Sequence, residues 1–158
     1  MFNRNQKTLF FLDKEGRWYH EGVEITHPRT SLLFSKSLYK SPNGKYYIKI
    51  KHECSEVTIE DAPYIVRSVD FIAGTGAESA EFLLYLNDAT REYLSPKTLA
   101  INAENVMYCL VKNQTERARF LRPAYYQLCN HISFDERISQ YWLPWKGKKI
   151  YISQDLSE

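Results

Sequence analysis

One stretch constrains this chain more than any other: Val57-Thr58-Ile59-Glu60-Asp61-Ala62-Pro63-Tyr64-Ile65-Val66-Arg67-Ser68-Val69-Asp70-Phe71, two strand-like runs hinged on an acidic proline corner. Over residues 57–60 apolar and polar side chains alternate, which turns Val57 and Ile59 toward a core and Thr58 and Glu60 away from it. Pro63 has no amide donor and restricts Ala62 before it, so a ladder has to stop or jog there. Beyond Tyr64 the alternation resumes with Ile65, Val69 and Phe71 on one face, and Arg67 falls on that same face. An arginine so placed must reach solvent or a carboxylate, because an unpaired buried charge is expensive. Glu60 and Asp61 are the acidic partners nearest in sequence.

A length of 158 residues suits one sizeable domain or two small subdomains sharing a core. With 25% charged and 44% hydrophobic residues the chain reads as globular and not as disordered. The net charge of +2 makes no general case for nucleic acid, but its distribution is uneven. Residues 1–52 carry +6, residues 53–105 carry −7 and residues 106–158 carry +3, so an acidic block lies between two basic ones. Twelve Tyr, eight Phe and three Trp suit strands and cores, and equally a homodimer interface. Cys54, Cys109 and Cys129 show no CxxC or ligand spacing, which points to reduced thiols and a cytoplasmic location. The apolar run over residues 9–12 is too short for a secretory core or a membrane span, so no membrane partner is expected.

Punctuation along the chain sets out the elements. Residues 17–25 read as a hairpin turning at Gly22, with Trp18, Val23 and Ile25 as its packing residues. Pro28 opens a helix that runs to about Lys40, with a hydroxyl capping its free amides. Asn43-Gly44 is a tight turn into a half-buried strand over residues 45–51, whose lysines can oppose Glu56 or Glu60. The glycine-rich residues 74–79 read as a connection without the features of a phosphate loop, and they divide the chain into 1–73 and 74–158. Residues 81–86 form a strand, residues 106–111 are apolar on both faces and therefore central in a sheet, and residues 115–121 follow as a further strand. On that strand Arg117 and Arg119 share one face, a candidate anion site or a double salt bridge. Arg122-Pro123 opens a second helix with Tyr125, Leu128, Cys129 and Ile132 at packing spacing, and a closing hairpin follows it.

The two ends follow one plan, a strand into a proline-opened helix and then a glycine-turned strand of aromatic and isoleucine residues. The fold expected is α+β, predominantly antiparallel strands with two short helices, built from a duplicated strand-helix-strand motif.

No HExxH, GxSxG or phosphate loop is present, and no two histidines sit at i,i+4 on a helix. No catalytic residue, metal ligand or cofactor is therefore assigned. His20-Glu21 with Glu60-Asp61 would make an acid/base or metal-assisted hydrolase only if the hairpin folded over the corner. Lys45, Tyr47, Lys49 and Lys51 would make a single-strand nucleic-acid platform, a reading that the acidic middle block opposes.

Several segments together carry a family resemblance: Trp18-Tyr19-His20-Glu21-Gly22-Val23-Glu24-Ile25, Leu33-Phe34-Ser35-Lys36-Ser37-Leu38, Asn43-Gly44-Lys45-Tyr46-Tyr47, Val57-Thr58-Ile59-Glu60-Asp61-Ala62-Pro63-Tyr64 and Glu116-Arg117-Ala118-Arg119. They resemble the uncharacterised bacterial family catalogued as domain of unknown function 1285, over residues 16–152. The strongest element is Val-x-Ile-Glu-Asp-Ala-Pro-Tyr, where the family usually has Val-Glu-Asp-Ala-Pro-Phe. Tyr85-Leu86-Asn87-Asp88 and Trp142-Leu143-Pro144-Trp145 depart from the family pattern. The resemblance implies a two-part α+β fold of repeated motifs and a role in signal transduction through protein or ligand contacts, with no established activity.

The resulting expectation is a non-catalytic ligand-sensing or protein-interaction module, with a protein or a small anionic ligand as partner. Its candidate binding residues are Glu60, Asp61, Tyr64, Arg67, Arg117, Arg119 and His20.

Overall fold

The computed structural model describes residues 9–74 and 76–155, with side chains within 9–74 and 80–154. The basic start over residues 1–7 lies outside the described residues, as does Thr75 of the glycine-rich connection. The chain forms two compact units, the first comprising the described residues up to Tyr64 with Asn87–Ala89, the second Ile65–Leu86 and the residues from Thr90 onward. The division falls at Tyr64/Ile65 and not at Gly74, because residues on either side of Thr75 pair with one another inside the second unit.

In the first unit β1 (Phe10–Leu12), β2 (Trp18–His20), β3 (Val23–Glu24), α1 (Pro28–Ser37), β4 (Leu38–Lys40), β5 (Tyr46–Ile50) and β6 (Glu53–Ile59) follow in sequence. The sheet order is β3-β2-β1-β6-β5-β4. Its centre is a parallel pair, Phe10 against Val57 and Leu12 against Ile59, and every other pairing is antiparallel. The turn between β2 and β3 needs two left-handed residues, Glu21 at φ 48° and Gly22 at φ 81°, which explains the glycine.

Leu12, Trp18, Leu38, Ile48 and Val57 are buried together, with Phe34 of α1, Tyr46, Ile50 and Ile59 packed against them. Each such side chain contributes roughly 1.5–3 kcal/mol when taken out of water. Trp18 is fully buried, meets Phe34 edge-on at 5.5 Å and donates its indole N–H to Ser35 Oγ at 3.0 Å. Val23, expected to pack, is 70% exposed, because a two-residue strand at the sheet edge turns it to solvent. Helix α1 also departs from expectation at both ends. No side chain caps it, since Ser31 Oγ donates to the Ile25 carbonyl, and it stops at Ser37, where Leu38 turns extended to pair with Ile48.

In the second unit the long strands β7 (Tyr64–Gly74) and β8 (Gly76–Leu86) form a hairpin. Then come β9 (Arg91–Tyr93), a 3-10 turn (Pro96–Thr98), β10 (Ala100–Asn102), β11 (Met107–Val111), β12 (Glu116–Phe120), α2 (Arg122–Cys129), β13 (Ser133–Asp135), β14 (Gln140–Trp145), β15 (Lys148–Tyr151) and β16 (Ser153–Asp155). A seven-stranded sheet runs β16-β10-β11-β12-β7-β8-β9, and a three-stranded sheet runs β13-β14-β15. The apolar β11 is interior, as its two-faced pattern predicted, and β10 pairs parallel with β16. Strand β14 continues through Pro144 to Trp145. Gln127 of α2 accepts the Val69 amide at 2.8 Å and so ties the helix to β7. The chain is thus an α+β protein, mostly strands, mostly antiparallel, with two helices.

Candidate functional site

The acidic corner is built into the first unit as a strand terminator. Strand β6 ends at Ile59 and β7 starts at Tyr64, with Ala62 and Pro63 buried between them. The Glu60 amide donates to the Leu12 carbonyl at 2.9 Å, and its carboxylate accepts the Lys14 amide at 2.7 Å. Glu60 thereby ties the end of β6 to the turn after β1. Asp61 is half-buried at the same corner. His20 lies exposed at the end of β2 with its ring stacked on Phe10 at 4.7 Å. Glu60, Asp61, Tyr64 and His20 belong to the first unit, whereas Arg67, Arg117 and Arg119 belong to the second.

Arg67 does not share the core face of β7. Val66 pairs with Leu86 and Ser68 with Tyr85, so Arg67 is the extra residue of a bulge. The bulge shifts the alternation by one, puts Val66 with Val69 among the buried residues, and leaves Arg67 exposed. Strand β12 lies beside β7, and the Leu121 amide donates to the Val66 carbonyl at 3.0 Å. On β12, Ala118 and Phe120 are buried while Arg117 and Arg119 are half-buried on the other face. The Arg117 guanidinium lies 3.8 Å from the centre of the Tyr108 ring, a cation-π contact on the adjacent strand.

A further carboxylate, Asp13, stands in a dense set of hydrogen bonds. It is 6% exposed and accepts the Glu15 and Arg17 amides at 2.9 and 2.8 Å, Arg17 Nε at 2.8 Å and the Tyr19 hydroxyl at 3.4 Å. The hydrogen bond that Arg17 donates to Asp13 raises the Arg17 pKa further. The local signal was Asp13-Lys14-Glu15-Gly16, a turn whose first residue can bond forward to the backbone. The expected cross-strand ion pair of the Lys45 strand is present, Lys45 to Glu56 at 3.3 Å.

The second unit holds a cleft of about 890 Å³. One wall is the β10–β11 turn, in which Asn102 Oδ1 accepts the amides of Glu104 at 3.0 Å and Val106 at 2.9 Å. A second wall is α2, whose Ala124 and Leu128 are buried while Tyr125 and Cys129 line the cleft, with Ile132 just beyond the helix. The helix thus carries two adjacent stripes where a single packing face was expected. The third wall comes from residues 138–141, Tyr151, Ile152, Ser153 and Gln154. Among the described residues, no Lys, Arg, Asp or Glu side chain lines it.

The Tyr125 hydroxyl donates to Asn105 Oδ1 at 2.7 Å and the Tyr151 hydroxyl donates to Asp135 Oδ2 at 3.0 Å. Burial raises the Tyr125 pKa, with Cys129 adding to it, and the bond to Asp135 raises that of Tyr151, so both phenols stay protonated at neutral pH. Burial likewise raises the Cys129 thiol, which disfavours the thiolate. No group of three or more potential metal-binding side chains gathers among the described residues. None of the seven residues singled out from the sequence lines the cleft, because its walls are assembled from four segments distant in the chain.

No family model and no curated protein matches the chain. Its fold is nevertheless that of two solved proteins described as DUF1285 family proteins. The one from Silicibacter pomeroyi DSS-3 superimposes with a TM-score of 0.71 at 18% identity, over 92% of this chain and 79% of that one. The one from Shewanella baltica OS155 gives 0.59 at 20% identity, over 78% of this chain and 92% of that one. The resemblance carried by the Val57 to Tyr64 motif is borne out as a likeness of fold. Among the described residues, no helix is long and apolar enough to cross a membrane.

Proposed function

We propose that this protein is a non-catalytic, cytoplasmic ligand-sensing module whose ligand occupies the cleft of the second unit. The cleft itself carries the reading: about 890 Å³ lies within the range of small-molecule sites, with isoleucine and tyrosine walls interrupted by a few placed polar groups. A cytoplasmic setting fits three free thiols, and a signalling role fits the family resemblance, which includes no activity. Anion recognition by Arg117 and Arg119, and partner contacts by Glu60, Asp61, Tyr64, Arg67 and His20, form a separate part of the proposal that the cleft does not require.

The internal repeat belongs to the same proposal. It is supported by a shared order of pairings: in residues 10–59 the first strand of the motif lies parallel to the last, Phe10 against Val57, and in residues 100–155 Ala100 lies parallel to Ser153 in the same way. Each half places its helix between an antiparallel group of strands and a later antiparallel group. On this reading the first half fills the space beside its helix with Trp18 and Phe34, and the second leaves the corresponding space to a ligand.

Thermal unfolding of the full chain against a broad metabolite set tests the reading. Ser153 is exposed on β16 at the cleft, so Ser153→Trp would obstruct the space without disturbing the core. At least one compound should raise the unfolding midpoint of the wild type and leave that of Ser153→Trp unchanged. A set that shifts neither protein, or shifts both equally, would remove the proposal.

A further inference from the structure

Hydrogen-bond sense at the cleft narrows the chemistry of what it holds. Tyr125 and Tyr151 each commit the hydroxyl proton to a protein acceptor, Asn105 Oδ1 and Asp135 Oδ2, so what each phenol oxygen has left is its lone pairs. The amides run the other way. Asn102 Oδ1 is engaged by two backbone amides and Asn105 Oδ1 by a phenol, which leaves the NH2 group of each as the donor. The walls therefore present acceptors and donors side by side, with Gln140 and Gln154 able to act in either sense.

Charge is the second discriminator. With no cationic side chain among the described lining residues, Arg122 standing outside them at 5.7 Å from the centre of the Tyr125 ring, and the Asp135 carboxylate behind Tyr151, an anion entering the cleft would lose hydration for little counter-charge. Planarity is the third. Tyr141, half exposed on β14, and Tyr125 and Tyr151 offer aromatic faces for stacking. Amide side chains hydrogen-bond the edges of heterocycles, here through the NH2 groups of Asn102 and Asn105 and either end of Gln140 and Gln154.

Resting on the ligand-binding reading above, we infer that the cleft between α2, the β10–β11 turn and β16 takes an uncharged planar nitrogen heterocycle, of the chemistry of a nucleobase or nucleoside, in preference to its phosphorylated form. Tyr141 stacks on the ring, and the Asn102 and Asn105 amides with the Tyr125 and Tyr151 phenol oxygens read its edge.

Calorimetric titration of the full chain with adenosine, guanosine, cytidine and uridine, their 5′-monophosphates, and glucose tests this. At least one nucleoside should bind, and its monophosphate should bind more weakly. Tyr141→Ala should weaken the nucleoside roughly tenfold through loss of the stack. Ser153→Trp should abolish binding, with far-ultraviolet circular dichroism confirming that both variants fold. Tighter binding of a monophosphate, binding of glucose alone, or no binding by any nucleoside would each overturn the inference. If the metabolite set still yields a compound blocked by Ser153→Trp, the cleft remains a ligand site of another class; if it yields none, the broader reading falls with it.

Discussion

Asp13 and Glu60 show how the same carboxylate serves differently according to burial. Asp13 gathers two backbone amides, a guanidinium and a phenol in a nearly enclosed position, while Glu60 accepts one amide at the surface. The Arg17 partner is half exposed, so the ion pair itself adds little, and the backbone amides left without an acceptor dominate. Asp13→Ala should cost at least about 2 kcal/mol in urea unfolding and Glu60→Ala about 1 kcal/mol or less. Equal losses would show that burial does not separate the two. Ser35 is a second case: its hydroxyl oxygen accepts from Trp18 and, at 3.3 Å, from Asn87. Ser35→Ala should cost about 1–3 kcal/mol, because the indole N–H would stay buried without an acceptor, and the Trp18 fluorescence should change with it. Neither role was legible beforehand, since hydrogen-bond partners 17 and 52 residues away leave no local pattern.

At the scale of elements, period and punctuation carried most of the information. Residues 45–51 and 57–60 alternate as half-buried strands should, and Glu21-Gly22 supplies the two left-handed positions of a hairpin turn. Strand β7 is where period alone failed, because one inserted residue moves every later side chain to the opposite face. The bulge gives Arg67 to solvent, while Ile65, which precedes it, is 1% exposed. Arg67→Ala should therefore change stability by no more than about 0.5 kcal/mol, and Ile65→Ala should cost about 2–5 kcal/mol. A large loss from Arg67→Ala in denaturant unfolding would mean that the bulge depends on its side chain. Helix α2 teaches the same lesson in another geometry: Tyr125 and Cys129 keep helical spacing, yet that spacing does not distinguish the side facing a core from the side facing a cleft.

For the whole molecule, one buried thiol ties stability to alkaline pH. Cys109 sits in the interior strand β11 at 1% exposure, where burial, with Glu92 adding to it, raises the thiol pKa well above that of an ordinary cysteine. A raised folded-state pKa means that the native state holds its proton longer than the unfolded chain does. Stability from this group is complete below about pH 9 and falls as pH rises above it, by up to about 1.4 kcal/mol per pH unit. Urea unfolding at about pH 8 and about pH 10 should show that fall in the wild type and a shallower one in Cys109→Val. Identical slopes would show that the thiol does not titrate in this window.

The sequence by itself determined the strand-rich α+β class, the corner that ends β6, the glycine turns and the arginine pair on β12, because each follows from dihedral limits and periodicities acting within a few residues. Tertiary structure alone decided the cleft, the bulge at Arg67 and the second stripe of α2. The cleft brings the Asn102 turn, Tyr125, Tyr141 and Ser153 together only once β16 has paired with β10, and a pairing between strands about 50 residues apart is chosen by the packing of the whole unit.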